Sequence, residues 1–385
     1  MTKWRMTKLG DVAEVVRGST ITRKEVTPGE VPVVAGGQTP SCYHNVFNRE
    51  GKTITVSASG AYAGFVQYFE TPIFASDCST IKVQDENEIS PKFLFYMLQA
   101  SQREIYSFQR GSGQPHVYPS QLVGLDIPAP SIEEQLKVVE LLEDHLSRLD
   151  AALADVKQAE LKAVQFKVAF LRKVFSGDAT WNSIPMKQLG KWGGGGTPSK
   201  ANEKFWTNGT VPWLSPKDMG PLEITQTEDK ITEEACLNST VKKIPENSVV
   251  FVVRSGILER KLPIALTKVE TTLNQDMKAL TFSDRVNPKF GFYAMLGFEQ
   301  DILRTCRKSG TTVASINTES LMNYEIRIPS LPLQAKILDY VESQLTLIDN
   351  SMPQVESALK VGNSLRRSLL QAAFTGQLTN EVASV

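Results

Sequence analysis

A chain of 385 residues has room for two or three domains, and its 41% hydrophobic and 22% charged content supplies cores without the charge bias of a disordered protein. Its 42 Lys and Arg balance 42 Asp and Glu, so the net charge is zero. Phosphate neutralisation supplies most of the affinity of a nucleic-acid binder, so a DNA role here needs local basic patches or a partner that brings charge. Four scattered cysteines (Cys42, Cys78, Cys236, Cys306) give neither a disulfide framework nor a zinc pattern. No apolar signal region follows Lys3-Trp4-Arg5 and no run of about 18 apolar residues can span a membrane, so the expected location is the cytoplasm.

The first unit opens at Met6-Thr7-Lys8-Leu9-Gly10-Asp11. Val31–Val34, Thr53–Val56 and Thr80–Val83 are short β-rich runs bounded by Gly, Pro, Asn and Ser, and they read as strands. Ser90-Pro91-Lys92-Phe93 starts an apolar helix through Leu98, since a proline in the first turn after a serine is a helix start. The unit ends near Pro130, where helical spacing takes over. Leu142, Leu146, Leu149, Leu153 and Val156 recur at alternating steps of four and three, a heptad seam that seeks a second helix. The seam is expected to drift after Val156, with Glu160 inward and the apolar residues continuing at Leu161, Val164, Val168, Leu171 and Phe175.

The second unit repeats this plan. Met186-Lys187-Gln188-Leu189-Gly190-Lys191 opens it, Val249–Val253 and Met277–Phe282 are its strands, and Asn287-Pro288-Lys289-Phe290 starts a helix through Leu296. Leu122 to Glu143 returns 199 residues later as Leu321 to Glu342, with seven of the 22 positions identical: Leu122, Ile127, Pro130, Ser131, Gln135, Lys137 and Glu143. The seam returns at the same offset as Val341, Leu345, Ile348, Met352 and Val355, every one apolar, and Pro353 is expected to kink that helix. A large repeat in two copies is not a solenoid.

The reading is therefore α+β: two similar globular domains joined by two long antiparallel helices that form a coiled coil, pseudo-twofold symmetric. The expected boundaries are 1–130, 131–178, 179–329 and 330–385. Helices of about 42 residues at ~1.5 Å per residue make a rod of roughly 60 Å. As a ruler, that rod predicts that four residues inserted after Asp178 lengthen the spacing between the two domains' targets.

Catalytic motifs are incomplete. Gly193-Gly194-Gly195-Gly196-Thr197-Pro198-Ser199-Lys200 lacks the glycine that precedes the lysine of a phosphate loop. Asn287-Pro288-Lys289-Phe290 is one residue from the Asn-Pro-Pro-Phe loop of amino-methyltransferases, but its repeat partner Ser90-Pro91-Lys92-Phe93 has no amide, and a helix start explains both. Glu160-Leu161-Lys162 has no preceding Pro-Asp and lies on the heptad helix. His44, His116 and His145 are too dispersed to ligate a metal. No catalytic, cofactor or metal residue is assigned.

What remains is loops rich in Gly, Ser, aromatics and bases, whose side chains read base edges or hold phosphates. The candidate DNA-binding residues are Gln38, Ser59, Tyr62, Arg110, Gln114 and Tyr118 in the first unit. In the second they are Lys200, Ser215, Lys217, Arg254, Ser255, Lys308, Thr311 and Thr312. Read as ordinary surface turns, the same loops would serve no ligand.

At these residues the chain resembles the specificity subunit of type I restriction-modification systems. Four stretches carry the match: Ile127-Pro128-Ala129-Pro130-Ser131-Ile132-Glu133-Glu134-Gln135; Gly196-Thr197-Pro198-Ser199 with Val211-Pro212-Trp213-Leu214-Ser215-Pro216-Lys217-Asp218-Met219; Gly310-Thr311-Thr312 leading to Ile328-Pro329-Ser330; and Leu369 to Leu378. Pro332-Leu333-Gln334 departs from the Glu-Glu-Gln of the first copy. The resemblance implies a non-catalytic subunit whose two target-recognition domains each read half of a bipartite, asymmetric double-stranded DNA site. Its helices would dock two modification (methyltransferase) subunits carrying S-adenosylmethionine, and restriction subunits can join to cleave. Two other classes stay open: a stand-alone methyltransferase with a degenerate loop, and a coiled-coil scaffold that never touches DNA.

Overall fold

The computed structural model describes residues 4–111, 113–310 and 313–375. Residues through Lys157 pack with those from Val355 onward as one unit, and Gln158–Gln354 form a second. Each unit thus holds one mixed domain, part of the helix that follows it and part of the other long helix.

In the first domain the strands are β1 (Met6–Lys8), β2 (Ala13–Arg17), β3 (Val31–Val34), β4 (Cys42–His44), β5 (Thr53–Ser57), β6 (Val66–Phe69), β7 (Phe74–Ala75), β8 (Cys78–Val83) and β9 (Asp126–Pro128). They form a four-stranded sheet in the order β2-β8-β5-β6 and a three-stranded sheet in the order β4-β3-β7, while β1 pairs with β9. β8 is antiparallel to β2 and β5, and β3 is parallel to β7. Helices α1 (Pro91–Ala100) and α2 (Gln102–Ser107) follow, then the long α3 (Ile132–Phe175). The predicted start of α1 is as drawn from the sequence: Pro91 occupies the first turn and the Ser90 side chain accepts from Phe93 N.

The second domain repeats this topology with one strand added to each sheet, in β10 (Asn182–Pro185), β11 (Gly190–Gly194), β12 (Val211–Leu214), β13 (Glu223–Ile224), β14 (Lys230–Ile231), β15 (Lys243–Ile244), β16 (Val249–Val252), β17 (Ile264–Thr267), β18 (Thr271–Leu273), β19 (Met277–Phe282) and β20 (Glu325–Ile328). Here β19 is antiparallel to β11 and β16, and β12 is parallel to β18. Helices α4 (Pro288–Gly297) and α5 (Glu299–Cys306) lead to the second long helix, α6 (Leu331–Phe374). The glycine run expected as a loop is in part a strand: Gly193 and Gly194 pair with Ala279 and Lys278. A side chain on Gly195 would meet the Asn274 carbonyl inside contact distance, so glycine is required where this strand end crosses the β18–β19 link.

The helices pair antiparallel within each unit. In the first, Leu142 and Leu146 share a core with Leu370 and Ala373, while Gly362 lies against Leu153. In the second, Phe170 packs on Tyr340 and Lys167 pairs with Asp349. The expected drift holds only in part: Glu160 is half-buried, and Leu171 and Phe175 are buried, in the core of the second domain, but the stretch between keeps the seam's phase. Half-buried Glu160, Ala163, Lys167, Phe170 and Val174 keep the phase, and Leu161, Val164 and Val168 are left 59%, 54% and 42% exposed. Lys167 tolerates an inward position because its long stem packs while its ammonium reaches Asp349. α6 runs unbroken through Pro353, which costs one hydrogen bond without ending the helix.

One buried amide fastens each domain to its helix. Gln135, fully buried, accepts from Ser90 N (2.8 Å) and donates to the carbonyls of Glu88 (2.7 Å) and Pro130 (3.0 Å). Gln334 does the same with Asn287 N (2.8 Å), Arg285 (3.0 Å) and Pro329 (2.9 Å). Beside them Lys92 pairs with Glu143 at 2.8 Å and Lys289 with Glu342 at 2.6 Å. Aromatic contacts also recur: Phe93 meets Phe374 edge-on at 5.2 Å, and Phe290 meets Phe175 at 4.9 Å.

Candidate nucleic-acid interface

In each domain four segments converge at one corner, and the same backbone bonds bring them together. The link between β7 and β8 carries Asp77, and the link between β18 and β19 carries Asp276. The carbonyl of Asp77 accepts from Ala58 N (3.1 Å) and that of Asp276 from Val253 N (2.8 Å), which brings the ends of β5 and β16 alongside. The chain following α2 and α5 then crosses the returning segment. Ser59 and Arg110 both bridge to His116; in the second domain Arg254 bridges to Ser315 and Arg307 to Ile316.

The first corner gathers most of the residues anticipated there. Ser59 hydrogen-bonds Asp77, whose other oxygen meets Arg17 at 3.4 Å. Gly36 lies so close that a side chain on it would stand 2.6 Å from the Ser59 carbonyl, which brings the Gln38 loop to the same corner. The Gln38 carbonyl accepts from Gln67 Nε2 (2.6 Å), leaving its amide exposed. Arg110 and Gln114 are exposed, and Tyr118 stacks on His116 with ring centroids 6.1 Å apart. Gly60 N donates to the Pro115 carbonyl, so the Tyr62 turn also borders this cluster, and the Tyr62 ring is 45% exposed.

The second corner has different side chains on the same frame. Arg254 is exposed at the end of β16, and Lys308 N donates to the Ser315 carbonyl (2.9 Å), leaving its ammonium exposed. Thr197 hydrogen-bonds Gln275 beside Asp276, so the loop that continues to Lys200 starts at this corner. Guanidinium, ammonium and amide donors alternate here with carboxylate acceptors, the chemistry that reads base edges and holds phosphates.

Other anticipated residues have local duties. Ser215 is buried and donates to Asp218 (2.9 Å) in a cap, and Ser255 accepts from Ile257 N. Lys217 is held by Glu228 (2.8 Å) and Asp229 (3.0 Å), and hydrogen bonds to those carboxylates push its ammonium pKa up. Thr311 and Thr312 lie outside the described residues. Sequence reasoning missed Asp77, Asp276 and Arg17, and it placed His116 and Arg307 in the recognition loops without singling them out. The signal was available for the two acids, which are the one identity between residues 72–83 and 271–282 at the repeat offset.

Burial pushes the Cys78 thiol up to about 12 and the Cys306 thiol up to about 11, so neither is an activated nucleophile. Among the described residues no group of three or more His, Cys, Asp or Glu is placed to hold a metal, and no helix is long and apolar enough to cross a membrane.

The model of the type I restriction modification DNA specificity domain matches residues 1–163 and again 179–357. The chain is 32% identical over 335 residues to the type I restriction enzyme EcoR124I/EcoR124II specificity subunit of Escherichia coli, spanning 80% of this chain and 82% of that protein. It is 22% identical to the MjaVIII specificity subunit of Methanocaldococcus jannaschii, over 97% of this chain and 93% of that one. In fold it resembles a chain solved in a study of assembly and conformational transition of the type I R-M system, with TM-score 0.73, 18% identity and 97% and 98% coverage. The HsdS subunit from Thermoanaerobacter tengcongensis aligns with TM-score 0.54 and 17% identity over 98% of both chains.

Proposed function

The chain belongs to the type I restriction-modification DNA specificity family, and on that premise we propose that each domain reads one half of a bipartite, asymmetric double-stranded DNA site. The helices dock two modification subunits, which bring S-adenosylmethionine and the methyl-transfer chemistry, and restriction subunits join to cleave. The chain targets the reaction and does not perform it. One observation carries this reading: the same four-segment corner is built twice on one backbone frame, with Ser59, Arg110, Gln114 and His116 in one copy and Arg254, Lys308 and Ser315 in the other. A shared frame with different donors suits two different short sequences. A scaffold that never touched DNA would have no use for such a duplicated cluster of exposed donors. The fastening of each domain to its own helix through Gln135 or Gln334 suits a machine in which reading and docking are coupled.

The test is reconstitution with a cognate modification subunit, followed by mapping of methylated adenines or cytosines on random-sequence DNA. Replacing Arg110 or Gln114 by Ala is expected to relax the block read by the first domain, and replacing Arg254 or Lys308 the block read by the second. A bidentate base contact is worth about 1–3 kcal/mol of discrimination. Methylation without sequence preference, a motif unchanged by all four substitutions, or methyl transfer by the purified chain alone would each overturn the proposal.

A further inference from the structure

Beside the second corner lies a cavity with a cationic lining whose positions are mostly uncharged in the first domain. It measures about 530 Å³ and receives Arg172 from the last turn of α3, Arg304 from α5 and Arg307 from just past its end, with Asp301 among its other walls. A smaller hollow of about 290 Å³ shares Arg304 and Arg307 and adds Lys308, so the cationic surface runs without a break into the second corner. Four cations face two carboxylates. Arg304 meets Asp301 at 2.8 Å and Arg307 meets Glu259, while Arg172 and Lys308 have no carboxylate partner among the described residues. The Arg172 guanidinium lies over the Phe298 ring, 5.9 Å from its centre, a cation–π contact. Tyr324 donates to the second oxygen of Asp301 at 2.7 Å, and Asp301 in turn orients Arg304.

At the equivalent positions of the first domain, set by the Pro91 and Pro288 helix starts, Ser107 stands for Arg304 and Gly111 for Lys308. The repeat offset puts Gln371 in place of Arg172, and only Arg110 matches Arg307. In a chain of zero net charge this concentration is local and one-sided. Arginine's planar fork matches phosphate oxygens, and phosphate contacts position a protein on DNA without reading sequence.

Building on the DNA-reading role above, we propose that this cavity seats phosphates of the DNA strand beside the bases read by the second domain, so that the second domain anchors the duplex and the first mainly reads. The experiment uses the full complex with a modification subunit and measures DNA affinity across salt concentrations. The double substitution Arg172→Gln/Arg304→Gln should make the log–log salt slope shallower by about 1.8, since each phosphate contact contributes about 0.9. The same slope change, taken from 1 M, weakens binding about thirtyfold near 0.15 M salt, with the methylated sequence unchanged. Arg172→Lys/Arg304→Lys should keep the slope, which separates lost charge from lost folding. The control Arg148→Gln removes a surface arginine paired with Asp144 and should also keep it. An unchanged slope in the glutamine pair overturns the proposal, as does a lysine pair that fails as badly. Loss of complex assembly by the glutamine pair, with the lysine pair still assembling, overturns it too and assigns the cavity to an acidic face of the partner. Absence of DNA binding by the unaltered complex would instead remove the DNA-reading premise.

Discussion

Gln135 and Gln334 are side-chain amides with no exposed surface, and each satisfies one N–H and two carbonyls at a domain–helix junction. Replacing Gln334 with Met keeps the volume and leaves Asn287 N without its acceptor. A buried unpaired group costs about 1–3 kcal/mol, so Gln334→Met should destabilise the second domain by about 2–3 kcal/mol in urea unfolding. A change under about 0.5 kcal/mol would mean that water replaces the amide. Asp301 gives a pH-dependent counterpart. The Tyr324 hydroxyl, and next the Arg304 guanidinium, hold its pKa below the usual carboxylate range. A depressed carboxylate stabilises the folded state at pH above its unfolded value of about 3.9, and that contribution is lost as pH falls through the folded value. Asp301→Asn should therefore be less stable than the unaltered protein at pH 7, and the gap should close on acidification below about pH 4. A gap that is constant with pH would mean the carboxylate charge is not what stabilises.

The elements that most repay testing are the two long helices, because their register repeats in sequence. Asp150 pairs with Arg366 and Asp349 with Lys167, and both the acids and the bases are 199 residues apart. Partly exposed pairs are worth about 0.2–1 kcal/mol, so they select register more than they add stability. Arg366→Asp places two carboxylates together, and the double exchange Asp150→Arg/Arg366→Asp should recover most of the loss in a thermal double-mutant cycle. Additive losses would show that the pair does not couple the helices. Gly362 allows the closest approach, since a side chain there meets Leu153 inside contact distance. Gly362→Val should cost about 1–3 kcal/mol by overpacking, despite valine's better helix propensity than glycine's. A neutral or stabilising result in the same thermal assay would show that Leu153 can swing aside.

For the whole molecule, the structure revises the expectation about the ruler. The second domain is held to the end of α3 by Phe175 against Phe290 and by Arg327 donating to the Asp178 carbonyl (3.1 Å), as well as to α6 by Gln334. Four residues inserted after Asp178 should therefore loop out, leaving the methylated blocks and the unread gap between them unchanged. A gap lengthened by one or two base pairs in a methylation map would show that the domain moves with the linker.

The repeat, the heptad phase, the paired Pro-initiated helices and the family resemblance were all legible in the residues. These are properties of spacing, and a helix or a strand converts spacing into a face directly. The packing partners were not legible in the same way. Leu161, Val164 and Val168 looked like the continuation of the seam, yet Ala163 and Lys167 turn inward, because a seam keeps its phase when a facing helix supplies Asp349 for the lysine. Ser215 and Lys217 carried the residue types of a DNA contact, but Asp218, Glu228 and Asp229 close on them. Asp77 with Ser59, and Arg172 with Arg304, are far apart in the chain. Only the sheet topology and the packing of α3 beside α5 bring them together, since hydrogen bonds and charges act over a few ångströms in space and carry no record of sequence distance.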